Sequence, residues 1–336
     1  MTAVDKIVLG HGSGGRLSRE LVEDVFLKSF FNASLSPLED SAEVRFPGGT
    51  LAFTTDSYVV TPVEFPGADI GRVAVCGTVN DLAVKGARPL ALSAGFILEE
   101  GFPGALLKKI TASMRRAADE AGVSIVTGDT KVVEKGKADG IFINTSGIGL
   151  IPGGRKLSSY SVKPGDVIIV SGNLADHGVA VMNARDRLGL EGNIKSDAAP
   201  LNGLVEAALK VPGVRAMRDI TRGGLATVLN EVSGACGLTA EVDEEAVPVS
   251  SAARNACALL GLDPLYVANE GKLVLFAAPG AAAGILKALR SHRYGKNARA
   301  AGRMLKEKKP QVRLKTSIGG SRIMLMLEGE QLPRIC

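Results

Sequence analysis

The spacing of apolar positions divides the chain into alternating helices and strands. Leu17, Leu21, Val25 and Leu27 recur at helical spacing and predict an amphipathic helix over 16–31. Residues 32–49 carry Asn, Ser, Pro and Gly and read as a loop. The β-branched and aromatic run 51–60 predicts a strand or strand pair with Asp56 near its middle. A helix is expected over 69–85, through Val73, Val75, Val79 and Leu82, then a strand over 91–98. Leu107, Ile110, Met114 and Ala118 mark a helix over 106–122, ended by Gly122. Strands over 124–130 and 140–151 follow.

The Pro-, Gly- and Ser-rich stretch 152–166 breaks this pattern and marks a domain boundary. Beyond it, strands are expected over 167–173 and 272–279, with helices near 176–188, 223–235, 251–261 and 281–292. Two late strands end the unit. The alternation predicts an α/β (α+β) chain with domains at 41–154 and 155–330. A mobile glycine-rich segment and helix (1–40) precede them, and a flexible tail (331–336) follows.

Length and composition agree with this division, since 336 residues suit two domains that each bury a core. Apolar residues at 46% and charged residues at 22% exclude wholesale disorder. With no Trp and 4% aromatics, the chain lacks a base-stacking surface for single-stranded nucleic acid. The net charge of +5 is unevenly placed: residues 287–315 hold eleven Lys and Arg against Glu307 alone, +10, which leaves −5 elsewhere. That basic stretch reads as a solvated helix face. Cys76, Cys236, Cys257 and Cys336 are too far apart for a CxxC pair, so neither a disulfide framework nor structural zinc is indicated. No leader-like or membrane-length apolar run is evident, and a cytoplasmic protein is expected.

Three features carry chemistry. Gly10-His11-Gly12-Ser13-Gly14-Gly15 contains a literal G-x-G-x-x-G, yet only Ile7-Val8-Leu9 precedes it. No second buried strand leads to an acid about twenty residues on, which excludes a nicotinamide site. The loop is either a flexible terminal element or a glycine loop that closes, with His11, over phosphates. Second, Asp56, Asp81, Asp129 and Asp219 each lie in a short polar window between apolar segments. Singly, each is a cap or turn residue; together they can converge on a hard cation that bridges phosphates. There is no P-loop. Third, Pro333-Arg334-Ile335-Cys336 carries a thiol on a segment reaching about 13 Å, suited to moving a group between a donor and an internal site.

HGSGGR, TTDSYVVTP, GTVNDLAVKGARP, TGDTKVV, NLADHGVAVM, RDITRGGLATVLNE, ANEGKLV and PRIC together resemble the HypE family of NiFe-hydrogenase maturation proteins. That family lies within the aminoimidazole-ribonucleotide synthetase-like superfamily. The resemblance spans residues 7–336 and implies a two-domain fold, ATP in a cleft, and a homodimer built through N-terminal strands. It implies that Cys336 receives a carbamoyl group from a HypF carbamoyltransferase, and that ATP-driven dehydration leaves a thiocyanate. The cyano group would then pass to iron on a HypC–HypD complex, with no nucleic acid or membrane involved. It also implies that Asp56, Asp81, Asp219 and Asp40 hold Mg²⁺ and ATP, with Asp129 and Lys131 near phosphate or the reacting carbonyl. Lys131 would stabilise charge on oxygen, and Glu270 would take the amide proton. His177 reads as a structural hydrogen-bonder.

Two other readings compete. A small-molecule ATP-dependent ligase or kinase of the same superfamily, or a selenophosphate synthetase, has no need of the Cys336 tail. Selenophosphate synthetase also usually places a reactive Cys in the glycine loop, absent here. A scaffold binding acidic protein or nucleic acid through 287–315 predicts strongly salt-dependent binding.

Overall fold

The computed structural model describes residues 7–12, 14–186, 188–190, 194–329 and 334–336. The first half holds helices α1 (Arg16–Leu21) and α2 (Leu27–Phe30), joined through a π-helical turn. Strands β1 (Ala42–Phe46), β2 (Gly49–Tyr58), β3 (Glu64–Phe65) and β4 (Ala68–Asp69) lead into α3 (Ile70–Val84). Then come β5 (Arg88–Glu99), α4 (Gly104–Ala121), β6 (Ser124–Val133) and β7 (Ile141–Ile151). The main sheet runs β1-β2-β7-β5-β6, antiparallel except for the β5–β6 pair, which α4 connects.

Residues 152–166 pass from this sheet to the second. That half comprises β8 (Val167–Val170), α5 (Asp176–Asp186), α6 (Asn202–Leu209), β9 (Val214–Asp219), α7 (Gly224–Cys236) and β10 (Thr239–Asp243). It continues with α8 (Ser251–Leu260), β11 (Leu273–Ala277), α9 (Pro279–Ser291), β12 (Arg299–Leu305), β13 (Val312–Lys315) and β14 (Ser321–Ile323). Its sheet runs β14-β13-β10-β12-β8-β11-β9. The continuous apolar runs of β8 and β11 are explained by cover on both faces. Ile168, Val170, Val274 and Phe276 pack with Leu225 and Leu229 of α7. Ile169, Leu273 and Leu275 pack with α6 and α9.

Helix α3 is buried nearly all round, held between the first sheet and the second half. Asp69 caps it by accepting the Arg72 N–H at 2.8 Å. This helix fixes Asp81 near its C-terminal end. Even-numbered residues of β2, including Thr54, Asp56 and Tyr58, share the face that α3 covers, as Thr145 on β7 does through bonds to Thr78 and Ala74. The opposite face carries exposed Phe53, Ile97 and Ile148, and at its β2 end Phe53 and Thr55 face the N-terminal helical segment across a cavity.

Three expectations are corrected. The 32–49 loop contains β1, which needs only β2 beside it. Strands β9 and β10 and helix α6 fall where no periodicity was assigned, because five to eight residues leave little pattern to count. The basic stretch is not one helix face: α9 stops at Ser291 and β12 and β13 follow. Its charge is partly paired, Arg293 with Glu120, and Arg303, Arg313 and Lys315 around Glu241.

Candidate active site

The seam between the halves collects acidic residues from both. Asp56 comes from β2, Asp81 from α3, Asp40 from the segment before β1, Asp219 from the end of β9, and Glu270 from the turn before β11. The Thr54 hydroxyl donates to Asp81 Oδ2 at 2.7 Å, and Ser41 donates to the Asp81 carbonyl at 2.9 Å. Arg218, adjacent to Asp219, is the internal counter-charge: its Nε lies 2.6 Å from Asp40 Oδ1 and its Nη2 2.9 Å from Glu231.

One guanidinium does not neutralise this group. Burial pushes the Asp40 carboxyl up to about 6, against the pull of Arg218 and with the push of Glu231 and Glu39. Burial pushes Asp219 up to about 8, with Asp40 and Asp56 adding repulsion that Arg218 opposes. Asp81 is held well above the carboxylate range by burial, then by Asp219, Asp40 and Asp56. Among the described residues, no three His, Cys, Asp or Glu converge into a group that could hold a metal ion unaided. Carboxylate oxygens are hard donors, and Mg²⁺ usually takes one or two of them and completes its shell with phosphate and water. The donor chemistry therefore fits a cation brought in with a nucleotide.

A stability prediction follows with a defined sign. Carboxyls raised in the folded state hold protons that the unfolded chain releases, so their contribution is lost as pH rises through the folded values. Without divalent cation, the melting temperature is expected to fall between pH 5 and about 8, the window set by Asp40 and Asp219. Asp219→Asn should flatten that slope, as should Mg²⁺ with nucleotide. Thermal melts across pH check this; a cation-free slope unchanged in Asp219→Asn would remove Asp219 as its source.

Beside Thr54 opens a cavity of about 440 Å³, lined by Gly14, Gly15, Val22, Leu35, Leu38 and Thr54 among others. The glycine loop reaches it by packing on Arg222, which donates to the Gly12 carbonyl at 2.7 Å. Gly14 has φ +74°, and a Cβ there would lie 2.9 Å from Arg222 Cβ, so a side chain would push the loop away. His11 turns inward on its own loop, accepting the Val8 N–H at 3.0 Å. A larger, open groove of about 850 Å³ lies beyond the 196–199 turn and is lined by none of the candidate residues.

On the other side of the cluster, residues 334–336 are packed in place, which corrects the expectation of a flexible tail for this part of it. The tail runs beside the chain just after β2: Val59 N–H donates to the Cys336 carbonyl at 3.1 Å and Thr61 N–H to the Arg334 carbonyl at 3.2 Å. Arg334 Nε donates back to the Val59 carbonyl at 2.8 Å, and its guanidinium pairs with Asp139. Ile335 is buried in the core. These contacts satisfy the tail's backbone and hold it against both halves.

The Cys336 thiol is buried beside the Glu270 side chain. Burial pushes it above the usual thiol range, Arg222 opposes, and Glu270 and Asp56 add to the rise. Glu270 is itself 3% exposed and held well above the carboxylate range by burial, then by Asp56, Asp219 and Asp197, with Arg222 opposing. Its backbone is fixed from two sides: its N–H donates to Asp197 Oδ1 at 2.9 Å, and its carbonyl accepts from Asn80 at 3.3 Å. Arg222 keeps some solvent exposure, yet its guanidinium answers the field of Cys336 first and of Asp56 and Glu270 after it. The Gly223-Gly224 turn that follows needs φ of +77° and +62°, and a Cβ on Gly224 would lie 2.4 Å from the Leu265 carbonyl.

Asp129 and Lys131 do not join this group. They lie on edge strand β6, ion-paired at 2.6 Å and each 69% exposed. Strand register aligns Asp129 with Gly95, Asn144 and Ser57, on the sheet face opposite Asp56. The groups missed from the sequence are Arg218, Arg222, Thr54 and Asn80. Both arginines stand in the RDITRGG window already singled out for Asp219, and that was the available signal.

A two-domain chain with carboxylates converging on the seam defines a class. The AIR synthase related protein N-terminal domain matches residues 38–151, and the corresponding C-terminal domain matches 163–315. Within it, the chain is 52% identical over 335 residues to carbamoyl dehydratase HypE of Rhodobacter capsulatus, covering 99% of this chain and 98% of that one. A crystal structure of hydrogenase maturation protein HypE in complex with ATP aligns at TM-score 0.84 and 47% identity, covering 98% of this chain and 100% of that one. A HypE–HypF complex aligns at 0.86 and 48%, covering 90% and 98%. The chain belongs to the HypE carbamoyl dehydratase family. Among the described residues, no helix is long and apolar enough to cross a membrane.

Proposed function

We propose that the protein uses ATP to dehydrate a carbamoyl group carried on Cys336 to a thiocyanate, supplying cyanide for the iron of a NiFe-hydrogenase. The observation that supports this most is the buried Cys336 thiol set beside buried Glu270, within the fields of Asp56 and Arg222. In the docked tail the thiol is kept protonated, so it is a poor nucleophile there; carbamoyl uptake from a HypF-type partner belongs to an undocked tail. The cyano group would pass on to a HypC–HypD complex.

Once docked, the carbamoyl oxygen would take the γ-phosphoryl group with release of ADP. Loss of both amide protons and cleavage of the C–O bond then give S–C≡N and phosphate. Glu270, buried beside the sulfur that would carry the carbamoyl group, is the group placed to take a proton from its nitrogen. Arg222 offsets charge at the same point. The 440 Å³ cavity would seat the nucleotide, with Val22, Leu35 and Leu38 against its base and the glycine loop with His11 over its phosphates. Asp56, Asp81, Asp219 and Asp40 would hold Mg²⁺, which supplies charge neutralisation toward the phosphates.

Intact mass measurement after carbamoylation, with and without ATP, tests the reading. The expected result is an adduct on Cys336 that loses one water only with ATP; an adduct confined to another residue overturns it.

The same reading includes a homodimer through the exposed sheet face. Phe53, Ile97 and Ile148, exposed at 38–46%, are the support, and burying that face would bring Asp129 and Lys131 toward a second copy. Ile97→Asp is expected to convert the protein to a 34.8 kDa monomer in light scattering. An unchanged dimer mass would place the interface elsewhere.

A further inference from the structure

We propose that His177 is a positioning residue that holds the tail in its docked state and so sets how long Cys336 stays against Glu270. The inference rests on the reading of Cys336 as the reacting thiol. His177 lies in the first turn of α5 and is fully buried. Its Nε2 is 2.8 Å from the Ile335 carbonyl, and its Nδ1 is 2.8 Å from the Ser196 hydroxyl. A carbonyl only accepts, so Nε2 carries the proton and donates to the tail; the neutral ring then accepts from Ser196 at Nδ1. Phe65 packs edge-on to the ring at 5.5 Å and 84°, fixing its plane.

The partner of this buried donor is the residue next to Cys336. When the tail leaves, Nε2–H loses its acceptor inside the core, and a buried unsatisfied donor is unfavourable. The ring therefore favours the docked state by a differential interaction, which is what shifts a two-state population. The remaining tail contacts do not distinguish this position in the same way. Val59 and Thr61 are backbone donors that water can satisfy once uncovered. Arg185 bridges the Thr61 and Arg334 carbonyls, and Arg334 is itself partly exposed. Of these side-chain donors, His177 is the fully buried one and binds the carbonyl adjacent to Cys336.

The rate at which iodoacetamide alkylates Cys336, without ATP or partner protein, reads tail docking directly. Buried Cys76 and Cys257 serve as internal controls for global opening. His177→Ala is expected to raise the Cys336 rate by about tenfold or more while both controls stay protected. His177→Gln keeps a donor near the Nε2 position and should recover most of the protection, which a merely space-filling role would not require. Ser196→Ala, which removes only the ring's orienting partner, should fall between. An unchanged Cys336 rate in His177→Ala overturns the proposal, as does equal acceleration of all three thiols or failure of His177→Gln to protect more than alanine. Because no carbamoyl transfer is involved, this result stands apart from the mass test of Cys336 as carrier.

Discussion

Cys336→Ala is expected to eliminate thiocyanate formation while nucleotide binding persists. The thiol is the only group in the proposed chemistry that forms and keeps a covalent bond to the reacting carbon, and neither Cys76 nor Cys257 can replace it. Cys76 is buried inside α3, and Cys257, pushed up to about 11 by burial, packs in the core. The loss should therefore be complete, read as absence of both the carbamoyl adduct and its dehydrated product. Nucleotide affinity, measured by calorimetry, should change little, since the 440 Å³ cavity is lined by residues other than Cys336. Normal product from Cys336→Ala would defeat the whole assignment.

Glu270→Gln is expected to separate two steps that the wild type couples. The amide keeps size and approximate shape but cannot take a proton, so carbamoylated protein should accumulate in the presence of ATP. A loss of about 10²–10⁴ in dehydration rate is the scale for removing a general base. The pH profile adds a second reading. Burial and the charges of Asp56, Asp219 and Asp197 raise the Glu270 carboxyl, and a base works only when deprotonated. The wild-type rate should rise with pH through that raised value, and the residual rate of Glu270→Gln should lose the rise. Full dehydration by Glu270→Gln would assign the proton to another group.

Much of this was readable from the chain. The long, strongly periodic α4 and the long apolar α3 fall close to where the sequence puts them, and β8 and β11 announce themselves as unbroken apolar runs. Strands β1, β9 and β10 were not, because five or six residues leave little period to count and pairing partners supply their stability. The polar windows around Asp56, Asp81 and Asp219 signalled convergence because each interrupts apolar sequence. Asp129 sat in an equally suggestive window, TGDT, yet lies on the far sheet face. What separates it from Asp56 is the parity of strand register across four strands, which no local spacing encodes. The docked tail was equally invisible: its ladder joins 334–336 to 59–61, and nothing in either segment names the other.

The placement of the carboxylates has a mechanical side. Asp56 and Asp81 belong to one half and Asp219 and Glu270 to the other, so a charge that gathers them acts as a rivet through the joint. Apolar packing already closes the joint, and a bound cation would add a tie between the carboxylates of the two halves. The two halves should then melt as separate steps, or as one broad step, in chelator, and as one sharp, later step with Mg²⁺ and nucleotide. Closing the joint also narrows the slot into which residues 334–336 fit, so the same clamp that grips a nucleotide would grip the tail.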